Sequence, residues 1–132
     1  AFSPDEKQLY IADSGAVRGD SFSEVDYSLP HHIRVFEVEG TTLSSGRVFT
    51  EITPGIPDGL RVDHEGFIWT SAFDGIRCLN QAGDCLGKIR LPLVTSNICF
   101  GGSSGTDMFI TATDAVWRVR STRYDAASFY SA

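Results

Sequence analysis

Short runs of apolar and aromatic residues, each bounded by turn-forming residues, recur along the whole chain. Near its middle, the turn residues 57–59 and 63–66 bracket the run Leu60 to Val62, and the aromatic and β-branched run Phe67 to Trp69 follows. Runs of this length between glycine, proline and aspartate residues are typical of short β-strands joined by tight turns. No segment shows a convincing helical period, so the pattern predicts an all-β chain.

One hairpin unit recurs three times, at Phe2 to Gly15, Val62 to Gly75 and Phe100 to Ala115. Each unit has an apolar start, a polar turn, an apolar–aromatic pair and then small polar residues. A second hairpin follows the first two units. Repeats of four short strands in about 40–50 residues are typical of β-propeller blades. We therefore expect residues 1–132 to form one partial propeller domain of about three C-terminal blades, with the N-terminal blades missing.

The first repeat is longer than the second because of an insertion, Ala16 to Pro30, between the second and third strands of its blade. The insertion has no periodicity and is polar, with Phe22 and Tyr27 interspersed. We expect it at the same rim of the propeller as Asp58. It is either part of a lid over a ligand or an ordinary solvated loop.

Composition narrows the class of protein. The net charge of −6 argues against a surface that binds nucleic acid, and no apolar run is long enough to cross a bilayer. Three cysteines, Cys78, Cys85 and Cys99, cannot form a complete disulfide framework and are too few for a structural zinc site. Free thiols are typical of a reducing compartment, so a cytoplasmic location is expected.

The register of the repeat places two polar residues at equivalent positions. Asp58 lies four residues before Val62, and Ser96 lies four residues before Phe100. The first strand of a propeller blade lines the central channel, so these residues should converge at one mouth of it and form a candidate binding site. The alternatives are structural. Aspartate in a Pro-Asp-Gly turn commonly bonds its own backbone, and Ser96 could simply begin a strand.

The remaining polar candidates lie elsewhere. His31 and His32 are adjacent at the start of a strand, so their side chains should point to opposite faces. Asp63-His64-Glu65 forms the turn at the far end of the hairpin from Asp58 and is interpreted as a solvated turn. No Gly-Xaa-Ser-Xaa-Gly motif is present, which argues against a serine esterase.

At three places the chain resembles the gluconolactonase, regucalcin and luciferin-regenerating-enzyme family. The segments that carry the resemblance are Pro57-Asp58-Gly59-Leu60-Arg61-Val62-Asp63 with Gly66 and Ile68-Trp69-Thr70-Ser71, Ala1-Phe2-Ser3-Pro4-Asp5-Glu6 with Leu9-Tyr10-Ile11-Ala12-Asp13-Ser14, and Ser96-Asn97-Ile98-Cys99-Phe100-Gly101-Gly102 with Met108-Phe109-Ile110-Thr111-Ala112. Together they cover nearly the whole chain in the order of the family.

The resemblance implies a six-bladed propeller with one divalent metal ion in its channel. Ca²⁺ is expected first, with Zn²⁺, Mg²⁺ or Mn²⁺ as alternatives, and Asp58 would be one ligand. The other ligands of the family, a Glu and two Asn, do not map onto this chain, so we expect that it cannot build the site alone. A site made of oxygen ligands suits hard divalent ions.

The activity that the resemblance implies is hydrolysis of a sugar (aldono)lactone. Asp58 would be a catalytic residue as well as a metal ligand, and Ser96 would bind the substrate. A non-catalytic propeller that binds a small molecule or calcium, or a half-propeller interaction module that dimerises, would be compatible with the same fold. The expected partners are a lactone and the remaining blades, from the same longer chain or from a second copy. No nucleic-acid or membrane partner is expected.

Overall fold

The computed structural model describes residues 1–17, 24–103, 105 and 107–120, and this part of the chain contains ten β-strands and no helix. A helix long and apolar enough to span a membrane is accordingly not found there. The strands are β1 Gln8–Asp13, β2 His32–Glu39, β3 Thr42–Glu51, β4 Leu60–Val62, β5 Ile68–Ala72, β6 Gly75–Leu79, β7 Cys85–Arg90, β8 Thr95–Gly101, β9 Asp107–Ala112 and β10 Ala115–Arg120. The predicted all-β class is confirmed.

The strands form three antiparallel sheets in chain order. Sheet 1 is β1–β2–β3, sheet 2 is β4–β5–β6–β7, and sheet 3 is β8–β9–β10. The first residues extend sheet 1 beyond β1, because Phe2 bridges to Leu9 while Ala1 and Tyr10 exchange backbone hydrogen bonds. Each predicted hairpin unit thus begins one sheet. The insertion lies between β1 and β2, which are the second and third strands of this sheet if the bridged segment at Phe2 is counted as the first, as predicted. Phe22 lies outside the described residues.

The strands β5 and β6 of sheet 2 are packed on both faces, since their side chains point alternately towards the two neighbouring sheets. Ile68 and Ala72 face sheet 1, while Trp69 and Ile76 face sheet 3. The ring of Trp69 meets Phe100 of sheet 3 edge to face, with ring centroids 6.0 Å apart. The two cores consist of Tyr10, Ile33, Val35, Phe49, Ile52, Leu60, Ile68, Ala72 and Leu79 between sheets 1 and 2, and of Ile76, Ile98, Met108 and Ile110 between sheets 2 and 3.

The predicted solvated turn at 63–66 is wrong for Asp63, which is only 1% exposed. Its Oδ1 accepts hydrogen bonds from the backbone N–H groups of Glu65 and Phe67, and its Oδ2 accepts one from Trp69 Nε1 at 2.7 Å. The half-buried indole needs a polar partner, and the carboxylate provides it. His64 and Glu65 are exposed, as expected. Asp63 therefore has a structural role in this turn.

The three cysteines are free thiols, as the sequence predicted. Cys78 lies on β6 opposite Gly87 of β7, whereas Cys85 pairs with Leu79. The two cysteines of this hairpin are therefore not cross-strand partners.

A buried hydroxyl joins sheets 2 and 3. Thr95, at the start of β8, is 2% exposed. Its Oγ1 donates towards the carbonyl oxygens of Ala72 and Gly75, the latter at 2.9 Å, and accepts from the Ala72 N–H at 3.2 Å. These groups flank the tight turn between β5 and β6, so the hydroxyl holds sheet 3 against that turn.

Thr95→Val keeps the shape of the side chain but leaves the buried carbonyl groups of Ala72 and Gly75 without this partner. We expect the free energy of unfolding to fall by about 1–3 kcal/mol, measured by denaturant titration. Thr42→Val, at an exposed position of β3, serves as the control and should change it by less than about 0.5 kcal/mol. Equal stability of the two variants would contradict this role for Thr95.

Candidate functional site

Asp58 and Ser96, the two residues singled out by the repeat, line one pocket between sheets 2 and 3. Its volume is about 410 Å³, and its walls are formed by Ile56, Asp58, Phe73, Val94, Thr95, Ser96 and Thr113. Some of these residues lie just before or at the start of β4 and β8. The others, Phe73 and Thr113, directly follow the ends of β5 and β9. The pocket therefore lies at one end of the two sheets, the end at which Asp58 was predicted to lie.

The strand pairing agrees with the register assigned to Asp58 and Ser96. Leu60 pairs with Thr70, two residues before the end of β5, and Ile98 pairs with Ile110, two residues before the end of β9. Asp58 and Ser96 each lie two residues upstream of these equivalent positions. They therefore occupy matching places in neighbouring sheets.

The backbone on either side of the two residues is joined by hydrogen bonds between the sheets. The N–H of Gly59 donates to the carbonyl of Ser96 at 2.7 Å. It also lies 2.8 Å from Oγ of Ser71, which donates to the same Ser96 carbonyl at 3.0 Å. Ser71 is fully buried. These bonds use main-chain groups and Ser71, so they position Asp58 and Ser96 without engaging either side chain.

Gly59 permits this close approach of the two strands. A Cβ atom at residue 59 would lie 2.5 Å from Cα of Asn97 and 2.4 Å from its side-chain oxygen. The backbone of β8 cannot move aside without breaking its pairing with β9. A glycine is therefore required beside Asp58 by packing between the sheets.

Sheet 1 holds the segment before Asp58 from the other side. The hydroxyl of Ser14 donates to the carbonyl of Pro57. The phenol oxygen of Tyr27, in the insertion, accepts from the N–H of Gly55 at 2.9 Å. The base of the insertion therefore lies at the rim that carries Asp58, as the sequence predicted.

The carboxylate of Asp58 has no hydrogen-bond or ion-pair partner among residues 1–17, 24–103, 105 and 107–120. The backbone bond expected of an ordinary Pro-Asp-Gly turn is thus not made within these ranges. Partial burial raises the pKa of Asp58 because desolvation disfavours the charged form. An unpartnered carboxylate at the mouth of a pocket can accept a cation or a hydrogen-bond donor.

The hydroxyl of Ser96 is shared with a neighbour that the sequence did not single out. Its Oγ lies 2.8 Å from Oγ1 of Thr111, and either atom can be the donor. The other hydroxyl hydrogen has a carbonyl acceptor at 3.4 Å in either arrangement, the Thr111 carbonyl if it belongs to Ser96 and the Asn97 carbonyl if it belongs to Thr111. Ser96 and Thr111 therefore act as one polar group.

The side chains that could bind a metal ion show how far this chain can hold the divalent ion that the resemblance implies. No cluster of three or more His, Cys, Asp or Glu side chains suited to a metal occurs in the part of the chain that the structure describes. His31 bonds the Leu29 carbonyl through Nδ1, and His32 Nε2 lies 3.6 Å from Asp13. The carboxylate of Asp58 has no partner among the described residues, so it fits as one ligand of an oxygen site. The other ligands of that site would come from outside this part of the chain.

Sequence reasoning missed the apolar side of the pocket and the role of Ser71. Phe73 and Thr113 each follow the second strand of a sheet directly. The first residue after the second strand lies at the same rim as the start of the first strand. The register argument used for Asp58 could therefore have found Phe73 and Thr113. Ser71 carried no such signal, because alternation shows only that it faces a neighbouring sheet.

Gly59→Ala forces a methyl group against the backbone of Asn97. We expect the free energy of unfolding to fall by about 1–3 kcal/mol because the site is overpacked, measured as a shift in the denaturation midpoint. Gly87→Ala is the matched control, since a Cβ there would meet nothing within 4 Å. If both variants unfold at the same midpoint, the contact between residues 59 and 97 does not constrain the site.

Comparison with known proteins agrees with this architecture. The chain is 34% identical over 133 aligned positions to gluconolactonase of Zymomonas mobilis, covering 91% of this chain and 33% of that protein. It is 32% identical to regucalcin of Danio rerio, covering 84% of this chain and 36% of the relative. A gluconolactonase structure from Xanthomonas campestris superposes with a TM-score of 0.72 at 30% identity, covering 90% of this chain and 35% of that one.

The chain thus spans about a third of the length of the relatives it matches. The family model described as the SMP-30/Gluconolactonase/LRE-like region matches residues 1–114. The match covers sheets 1 and 2, the strands β8 and β9 of sheet 3, and both residues of the candidate site. This chain therefore belongs to the SMP-30/gluconolactonase/LRE-like family.

Proposed function

We propose that this chain is part of a metal-dependent lactonase that hydrolyses an aldonolactone. The observation that carries the proposal is the Asp58 carboxylate, which lies at the pocket between two sheets and has no partner among the described residues. Relatives named gluconolactonase are 30% and 34% identical to this chain over about nine tenths of its length. Asp58 would be both a ligand of a divalent ion, Ca²⁺ in the first instance, and a catalytic residue.

The finer architecture belongs to the same proposal. The three sheets pack on one another in chain order, and the outward face of sheet 1 carries exposed apolar side chains. Ile11, Arg34 and Val48 lie opposite one another on that face, with Ile11 41% and Val48 46% exposed. Phe2 adds a further exposed ring. This surface supports a continuing ring of six blades, of which three lie here and the others come from the same polypeptide or a second copy.

Hydrolysis would add water to the acyl carbon of the lactone and break the ring C–O bond, which yields the open hydroxy acid. The ion, when bound, supplies Lewis-acid polarisation of the lactone carbonyl. One carboxylate oxygen of Asp58 would hold the ion, while the other accepts a hydrogen bond from the attacking water and orients it. Ser96 would bind the substrate by exchanging the long 3.4 Å hydrogen bond from its hydroxyl to the Thr111 carbonyl for one to an oxygen of the substrate.

Asp58→Asn removes the charge while keeping the size of the side chain. In the complete protein we expect kcat/KM for opening of glucono-δ-lactone to fall by about 100-fold or more, and Ca²⁺ binding measured by calorimetry to weaken. Asp84→Asn, at an exposed position of the turn after β6, is the control and should retain both.

Chelation should abolish the activity of the parent protein, and added metal should restore it. Lactone opening that resists chelator, or that survives Asp58→Asn, would exclude the mechanism. Calcium binding without turnover of any lactone would instead favour the non-catalytic calcium-binding function.

The variant Ile11→Lys tests whether another blade of the propeller covers the outward face of sheet 1. If another blade covers sheet 1, the charge is buried and the free energy of unfolding of the complete protein should drop by about 2 kcal/mol or more. Leu86→Lys, on the outermost strand of sheet 2 and 57% exposed, is the matched control, with an expected change below about 0.5 kcal/mol. An Ile11→Lys protein as stable as this control would mean that the face is open to solvent.

A further inference from the structure

One wall of the Asp58 pocket is apolar. Ile56, Phe73 and Val94 line it beside the carboxylate. Ile56 is 5% exposed, Phe73 is half-buried and Val94 is 40% exposed. Both sheets contribute to the wall, since Ile56 and Phe73 flank sheet 2 while Val94 precedes β8. A molecule that reaches Asp58 would therefore lie against hydrocarbon on this side.

The hydroxyl groups of the same pocket are largely engaged within the protein. Thr95 Oγ1 is bonded to the backbone of Ala72 and Gly75. Thr113 Oγ1 donates to the Val94 carbonyl at 3.3 Å. Apart from Asp58 and the hydroxyl pair of Ser96, the described lining thus presents few groups that could satisfy the hydroxyls of a polyol. An unsatisfied buried hydroxyl is costly, whereas buried hydrocarbon is favourable.

Phe73 is held in place by a glycine. A Cβ at residue 55 would lie 2.4 Å from Cγ of Phe73, so the ring packs directly on the backbone of Gly55. Gly55 has a φ of +86°, a conformation that other residues rarely adopt. The N–H of Gly55 is bonded to Tyr27 at 2.9 Å. The aromatic part of the wall is therefore preformed.

We propose that the substrates of this protein extend beyond aldonolactones to lactones whose ring carries an alkyl or aryl substituent, and that Ile56, Phe73 and Val94 select for that substituent. This inference rests on the proposed lactonase function. The reaction stays the same, with water as the only co-reactant. The ester group lies at Asp58 and Ser96, and the substituent packs against the apolar wall.

The test compares δ-valerolactone with δ-nonalactone, which differ by a butyl group on the ring. In the complete protein kcat/KM should be at least 10-fold higher for δ-nonalactone, mainly through KM, which is the range of discrimination that an apolar pocket supplies. Val94→Thr adds a hydroxyl at nearly constant volume and should reduce this preference several-fold. Phe73→Ala should reduce it by about 10-fold or more.

Leu86→Ala provides the control for a lost apolar side chain at an exposed site and should leave the preference unchanged. Val94 is exposed enough for Val94→Thr to fold even if Phe73→Ala does not. An active enzyme with no preference for δ-nonalactone, or a preference that neither variant alters, would overturn the proposal.

A binding experiment tests the apolar wall independently of whether the protein has lactonase activity. Binding of δ-valerolactam and of its butyl derivative, which are amide analogues of the two lactones, is measured by calorimetry with the same variants. Tighter binding of the butyl lactam that Val94→Thr weakens would support the apolar wall even if no lactone were turned over. Equal binding of the two lactams would count against the wall whether or not the protein is a lactonase.

Discussion

The hydrogen bonds between the Gly59 N–H, the buried Ser71 hydroxyl and the Ser96 carbonyl are the constraint on which the candidate site depends. They join the starts of the first strands of two sheets, so the positions of Asp58 and Ser96 are coupled through main-chain atoms. A serine hydroxyl buried in a protein core must be satisfied, and here its partners are the groups that define the pocket. The site is therefore as rigid as the packing of sheet 2 on sheet 3.

The three residues of the Pro-Asp-Gly turn have different roles because of this constraint. Gly59 carries the strand-to-strand contact because it lacks a Cβ, and its N–H donates to the Ser96 carbonyl and to Ser71 Oγ rather than to the carboxylate of Asp58. Pro57 is fixed through its carbonyl by Ser14 of sheet 1. Since its neighbours do the structural work, Asp58 keeps a carboxylate without a described partner. A charged group with no structural task at a pocket is a sound functional candidate.

Other polar residues show the contrast. Asp63, which the sequence placed in a solvated turn, is buried and bonded to Trp69 and to two backbone groups. Asp107 is bonded to Arg118 and Arg120 on the same face of sheet 3. The Arg118 hydrogen bond is the main reason that the pKa of Asp107 is lowered. These carboxylates have hydrogen-bond partners within their sheets, in contrast to Asp58.

The amino-acid sequence by itself determined the all-β class, the three units and the matching positions of Asp58 and Ser96. Those features depend on local turns and on the two-residue period of strands, which are readable along the chain. Only the tertiary structure decided that Ser71 couples the two residues, that Thr111 shares the Ser96 hydroxyl and that Phe73 and Val94 line the pocket. Each of these contacts depends on the distance between two strands or sheets, which the pattern within one hairpin does not encode.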